Sequence, residues 1–173
     1  MKARPITFFL LLIFLCSGSY AQIVSEQTTL KVAGNIYHQI HQGQVSGIVN
    51  PEIEIVNDKN ALPAYYIFKY EDDNGFVVVS ADERVVPLLA YSPKSSWDNE
   101  RPYPAHKEWM DAYISQIEDV RLNNIKATAD IKNQWNSFTS NDPVTKDIYW
   151  QLWDLSQIIL PGTRTVFIMK TVL

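Results

Sequence analysis

Cysteine is almost absent from this chain. The one cysteine among its 173 residues, Cys16, lies in the N-terminal leader. Beyond that leader there is no disulfide to staple the fold and no thiol nucleophile. Glycine is scarce too, at six residues. None of them builds a glycine-rich phosphate loop or the Gly-x-Ser-x-Gly elbow that presents a serine nucleophile. Cations are the minority: the whole chain carries a net charge of −4, and removing Lys2 and Arg4 leaves 13 basic against 19 acidic residues, a net −6. With no basic patch to track phosphates, nucleic acid is excluded as a partner. The acidity itself asks for no more than solubility. The one long apolar run, Phe8 to Leu15, is too short to span a bilayer as a stable helix.

Residues 1–21 read as a secretory signal peptide. Lys2 and Arg4 precede the apolar run, and Ser19-Tyr20-Ala21 is a small-x-small cleavage site, which places the cut between Ala21 and Gln22. A lipoprotein anchor through Cys16 is disfavoured, because Leu15 stands where lipobox-type sites resemble one another in having a small residue. The expected chain is secreted or periplasmic, with no stable membrane span once the signal is gone. An exported fold without disulfides must stand on packing alone, as suits a bacterial envelope protein. The remaining length is about that of one domain.

The pattern along that length predicts α+β. Ser25 to Gln42 reads as a helix capped by Ser25, with Leu30, Ala33, Ile36, Tyr37 and Ile40 on one face. Val45 to Val56 is a half-buried strand, Ile53 and Ile55 pointing one way and Glu52 and Glu54 the other. Asn57 to Asn60 is a turn, and Ala64 to Tyr70 a second strand. Asn74-Gly75 between two apolar runs signals a hairpin. Phe76 to Ser80 is continuously apolar and is expected to be central. Ala81 to Arg84 forms a charged turn, and Val85 to Ser92 a further strand in which Pro87 marks an edge or a bulge. Pro93 to Pro104 is a loop. Ala105 to Ala127 is the longest helix, with Trp109, Met110, Tyr113, Ile114, Ile117 and Val120 as its apolar stripe, and another helical stretch runs towards Phe138. The expected architecture is an antiparallel sheet of about four strands, with an N-terminal helix and a long C-terminal helix packed on one face.

Chemistry-bearing clusters are few. His38 and His41 are spaced to share a metal, yet no third ligand and no His-Glu-x-x-His motif accompanies them; a polar helix face is the plainer reading. His106 stands alone ahead of the long helix. Asp72-Asp73 and Asp82-Glu83 read as solvated turn acids. The five tryptophans, Trp97, Trp109, Trp135, Trp150 and Trp153, suit core filling better than carbohydrate stacking, Trp109 most plainly. No metal site, cofactor or catalytic residue is expected, and the chain is expected not to be an enzyme.

From Ala64 to Glu118 the chain resembles the propeptides and Spi-type inhibitors of streptopain-like cysteine peptidases. The resemblance is carried, in order, by Tyr65-Tyr66-Ile67-Phe68, Gly75-Phe76-Val77-Val78-Val79-Ser80-Ala81-Asp82, Pro87-Leu88-Leu89-Ala90-Tyr91-Ser92, Trp97-Asp98, and Met110-Asp111-Ala112-Tyr113-Ile114-Ser115-Gln116-Ile117. It implies an inhibitor that packs over the active-site cleft of a cognate streptopain-like cysteine peptidase. Within the motif, Phe76 to Ser80, Leu88 and Tyr91 are expected to be structural, and Gly75 to serve turn geometry. The contacting segment is assigned to Asp98 to His106, through Asp98, Asn99, Arg101, Tyr103, Pro104, Ala105 and His106. Prolines pre-organise it while its polar residues keep it exposed, and Tyr103 is its anchor. The bland alternative is a plain connecting loop.

The tail departs from the family. An inhibitor domain is expected over 22–140 and an atypical tail over 141–173. In precursors of this family the propeptide leads into a peptidase that begins with a Trp/Tyr-Asn-Gln-like stretch, which Tyr149-Trp150-Gln151-Leu152-Trp153 faintly resembles. Back-translated one frame over, Phe167 to Leu173 permits Tyr-Asn-Glu-Asn-Cys-Pro, a segment such a peptidase would carry. The tail therefore also reads as a frameshifted junction to a lost peptidase domain, which would make the chain a truncated zymogen prodomain. A non-catalytic surface binding module is the alternative from a different class.

Overall fold

The computed structural model describes residues 22–41, 50–70, 75–97, 104–140 and 166–167, with backbone alone at 104–106 and 166–167. Helix α1 (Glu26–Ile40) is followed by strands β1 (Glu52–Asn57), β2 (Pro63–Lys69), β3 (Phe76–Ser80) and β4 (Leu88–Ser92). Helices α2 (Pro104–Leu122) and α3 (Ala129–Thr139) and a two-residue strand β5 (Val166–Phe167) complete the order. The strands lie antiparallel in the order β1-β2-β3-β4-β5. The α+β expectation holds.

Strand β3 is the centre. All five of its residues are buried, as is β2 from Ala64 to Phe68. A strand buried at consecutive positions is covered on both faces, because successive side chains alternate. Helix α1 packs on β2 and β3, whereas α2 packs on β2 and donates from the Tyr113 hydroxyl to Leu89 O of β4. The two helices therefore cover opposite faces, which corrects the expectation that they share one. Helix α3 packs beside α1, where Asn35 of α1 donates from Nδ2 to Phe138 O and Ser140 O at 2.7 and 3.0 Å. Those are carbonyls that the end of a helix leaves unmatched.

Several boundaries and faces move. Ser25 does cap α1, accepting from Thr28 N at 3.2 Å. Leu30, however, is 37% exposed, and Thr29 and Val32 are buried instead. Thr29 can be buried because its hydroxyl donates back to Glu26 O at 2.9 Å, which satisfies it within its own helix. β1 is a strand from Glu52, and the expected stretch from Val45 falls partly on 42–49, outside the described residues. Ile53 packs on the core while Ile55 is 44% exposed, since β1 lies at the margin of the sheet. The strand expected from Val85 begins at Leu88. Its register with β3 shifts where Val78 pairs with Ala90 and Val79 with Leu88, which leaves Leu89 as the extra residue; Pro87, expected to mark an edge or a bulge within the strand, instead precedes it and accepts from Ser80 N at 2.9 Å. The long helix stops at Leu122, not at Ala127. Asn124 takes a positive φ of 49°, and Ile125 N returns to Val120 O at 3.0 Å, a turn that ends α2 and redirects the chain into α3.

Gly75 has φ +92°, and a Cβ there would overlap the carbonyl oxygen of Ser92. Only glycine accommodates both the backbone angle and the close approach of the β4 end. The acidic turn residues Asp72 and Asp73 lie outside the described residues.

Candidate inhibitory surface

The assigned contacting segment is flanked by two well-fixed pieces of structure. On its N-terminal side, Ser92 closes β4 and its Oγ accepts from Ser95 N at 2.9 Å. Trp97 then sets its ring edge-on to Phe76, centroids 4.9 Å apart at 84°, a favoured aromatic arrangement. On the C-terminal side, α2 begins at Pro104 and is held to the sheet by buried Met110, Tyr113, Ile117 and Val120. The Tyr113 hydroxyl donates to Leu89 O at 3.1 Å. Proline as the first helical residue forfeits no helical hydrogen bond.

Of the assigned residues, Asp98, Asn99, Arg101 and Tyr103 lie outside the described residues. Pro104, Ala105 and His106 are not in a loop ahead of the helix but in its first turn. The motif residues Phe76, Val77, Val78, Val79, Ser80 and Leu88 are buried, and Tyr91 is half-buried.

His41 joins the same region. It ends α1, with Nδ1 2.9 Å from Tyr37 O and Nε2 3.1 Å from Pro93 O. Its ring also packs on Tyr37, centroids 4.2 Å apart, and Tyr37 stacks on Tyr70 at 3.6 Å. With both ring nitrogens facing carbonyl oxygens, His41 is a poor metal ligand. His38 is exposed, and no group of three His, Cys, Asp or Glu among the described residues could hold a metal ion. No local pattern signals His41's role, because Pro93 is 52 residues away.

A second set of polar side chains also escaped the sequence reading. Asp82, expected to be a solvated acid, is fully buried. Arg84 reaches it with Nε and Nη2, each at 2.8 Å. Arg121 of α2 donates from Nε to Asp82 at 2.9 Å, from Nη1 to Asp58 at 2.8 Å and from Nη2 to Pro63 O at 2.7 Å. Burial alone would push both carboxyls up. At Asp58 the backbone N–H groups of Leu62 and Asn60 together with Arg121 outweigh it, and at Asp82 Arg84 and Arg121 do, so both are held below the ordinary aspartate range. These acids are committed to the scaffold: they tie the β1–β2 turn, the β3–β4 turn and the end of α2 together. Glu83 beside them is exposed.

The tryptophans within the described residues behave as core or near-core groups. Trp135 is buried and donates from Nε1 to Val85 O at 2.8 Å; Trp97 and Trp109 are half-buried against the core. Trp150 and Trp153 lie outside the described residues. No helix among the described residues is long and apolar enough to cross a membrane.

The family model described as Spi protease inhibitor matches residues 21–117, and the chain belongs to that family. No curated protein and no solved structure gave a match.

Proposed function

We propose that this chain is a secreted inhibitor of streptopain-like cysteine peptidases, released by cleavage between Ala21 and Gln22. It acts without catalysis, by laying the segment from Asp98 to His106 across the active-site cleft of a cognate peptidase. The family supplies protease inhibition, and the streptopain-like motifs from Tyr65 to Ile117 narrow the target class. The observation that carries the site is the pair of anchors, Trp97 on Phe76 and α2 starting at Pro104. Between them only residues 98–103 are left to bridge, so the segment's ends are fixed before any partner arrives. Fixed ends lower the ordering cost of binding. Tyr103 is the anchor side chain, in an interface of about 1,600 Å² in total.

The test is a titration of a streptopain-like peptidase from the same genome with the exported chain, alongside a serine peptidase. Stoichiometric loss of cysteine-peptidase activity supports the reading; inhibition of the serine peptidase alone removes the target class. A second reading, the relic prodomain, is favoured by the shifted-frame match at Phe167 to Leu173. The gene decides it: a shifted frame that meets an early stop, or lacks a downstream Cys/His domain, removes it.

A further inference from the structure

Gln22 is where the expected N-terminus of the exported chain meets the fold. Its carbonyl accepts from Glu83 N at 3.1 Å, Val24 N donates to Ala81 O at 2.9 Å, and Ile23 bridges Asp82. The residue is therefore fixed against the β3–β4 turn. Its side-chain oxygen Oε1 is buried and has no hydrogen-bond partner. Gln22 also lines an open cleft of about 390 Å³ between that turn and α3. The charged residues of the cleft are Glu83, Arg84, Lys126 and Lys132; Arg84 is already paired with Asp82, which leaves two lysines to one carboxylate.

We infer that, once the leader is removed, Gln22 closes to pyroglutamate. Cleavage between Ala21 and Gln22, part of the proposed function, is the premise. The freed α-amino nitrogen attacks the side-chain Cδ carbonyl of the same residue. The Cδ–Nε2 bond breaks, a five-membered lactam forms, and Nε2 leaves as ammonia carrying one proton from the α-amine. No oxidant or co-reactant is needed. Closure costs Oε1 no hydrogen bond, because it has none, and it leaves the Gln22 carbonyl in place for Glu83 N. It also removes a charge. A free α-ammonium at Gln22 would bring a further cation to a cleft where two lysines already face one carboxylate, whereas the lactam is neutral.

Intact-mass and N-terminal peptide analysis of the chain exported through its own leader tests this. The expected result is a chain that begins at residue 22, is lighter by one ammonia, and is blocked to N-terminal sequencing. A chain that begins at Gln22 with a free amine overturns the lactam and leaves the leader reading intact. A chain that begins at any other residue overturns the cleavage premise and the lactam with it. Neither failure bears on peptidase inhibition, which is read separately. A second measurement addresses the charge argument. A fusion cleaved directly before Gln22 yields the open form, whose melting is compared with that of the lactam form. The lactam form is expected to melt higher at low salt, with the gap closing as salt screens the cleft. Equal melting at low salt overturns the electrostatic basis.

Discussion

Arg121 Nε lies 2.9 Å from Oδ2 of Asp82, across 39 residues of sequence. The same guanidinium reaches Asp58 and the carbonyl of Pro63. One side chain thus holds the end of α2 to two turns at the same end of the sheet. Replacing it by alanine would leave Asp58 with no arginine and Asp82 with Arg84 alone. Breaking a buried ion pair from one side costs about 3–5 kcal/mol. Arg121→Ala is expected to destabilise on that scale in urea unfolding. Arg121→Lys should recover only part of the loss, since an ammonium cannot reproduce the planar fork. A loss under about 1 kcal/mol would show that the clasp is worth no more than an exposed ion pair.

The same pair sets an acid limit. Asp58 and Asp82 have folded-state pKa values below the ordinary one. Their contribution is therefore fully present above the unfolded aspartate pKa of about 3.9, and is lost as pH falls through the depressed folded values. Stability is expected to be flat from neutrality to about pH 5 on this account and to fall steeply below about pH 4. Asp82→Asn should be less stable at neutral pH and show a shallower acid slope. An unchanged slope in chemical denaturation across that range would contradict the assignment.

Gly75→Ala is expected to destabilise by about 2–4 kcal/mol, from a strained positive φ together with overlap with Ser92 O. Gly34 provides the control, since a Cβ there meets nothing within 4 Å. It is helical, so Gly34→Ala should stabilise by up to about 1 kcal/mol. The two melting temperatures should move in opposite directions; movement in the same direction would remove the steric argument.

Trp135 carries a hydrogen bond as well as bulk. Trp135→Phe removes the donor to Val85 O and leaves that carbonyl without its indole partner, at about 1–3 kcal/mol. Peptidase inhibition by the folded variant is expected to be unchanged, because Trp135 is committed to the core through Val85 O and is not part of the proposed contacting segment. A variant that keeps its melting temperature but loses inhibition would place the contact surface on α3 instead.

The strands were legible because their signals are local. The apolar run Phe76–Ser80 could only be a buried strand, and Asn74-Gly75 a reversal; β2 and β3 pair antiparallel as that requires. Helix faces were read less well where a polar residue could be satisfied by its own helix, as at Thr29. What sequence pattern could not give is the long-range polar work. Asp82 looked like any turn acid until α2 brought Arg121 to it, and His41 looked like a surface histidine until β4 placed Pro93 O against it. Two-sided coverage of the sheet was likewise hidden, although unbroken burial along Ala64–Phe68 was its trace. Of the proposed contacting segment, residues 98–103 lie outside the described residues.

Tyr103→Ala separates inhibition from folding. Its melting temperature should stay within about 2 °C of the parent, as expected for a side chain that serves the peptidase contact and not the core, while loss of a central aromatic anchor should weaken inhibition by at least about 30-fold, or 2 kcal/mol. Trp97→Ala should weaken both, since it frees one end of the segment and uncovers Phe76.

The most direct measurement is the titration of a streptopain-like cysteine peptidase from the same genome with the exported chain, following residual activity against the molar ratio. Residual activity is expected to fall linearly to near zero at one inhibitor per peptidase. Full activity at a large excess of chain, with circular dichroism showing the chain folded, would contradict it.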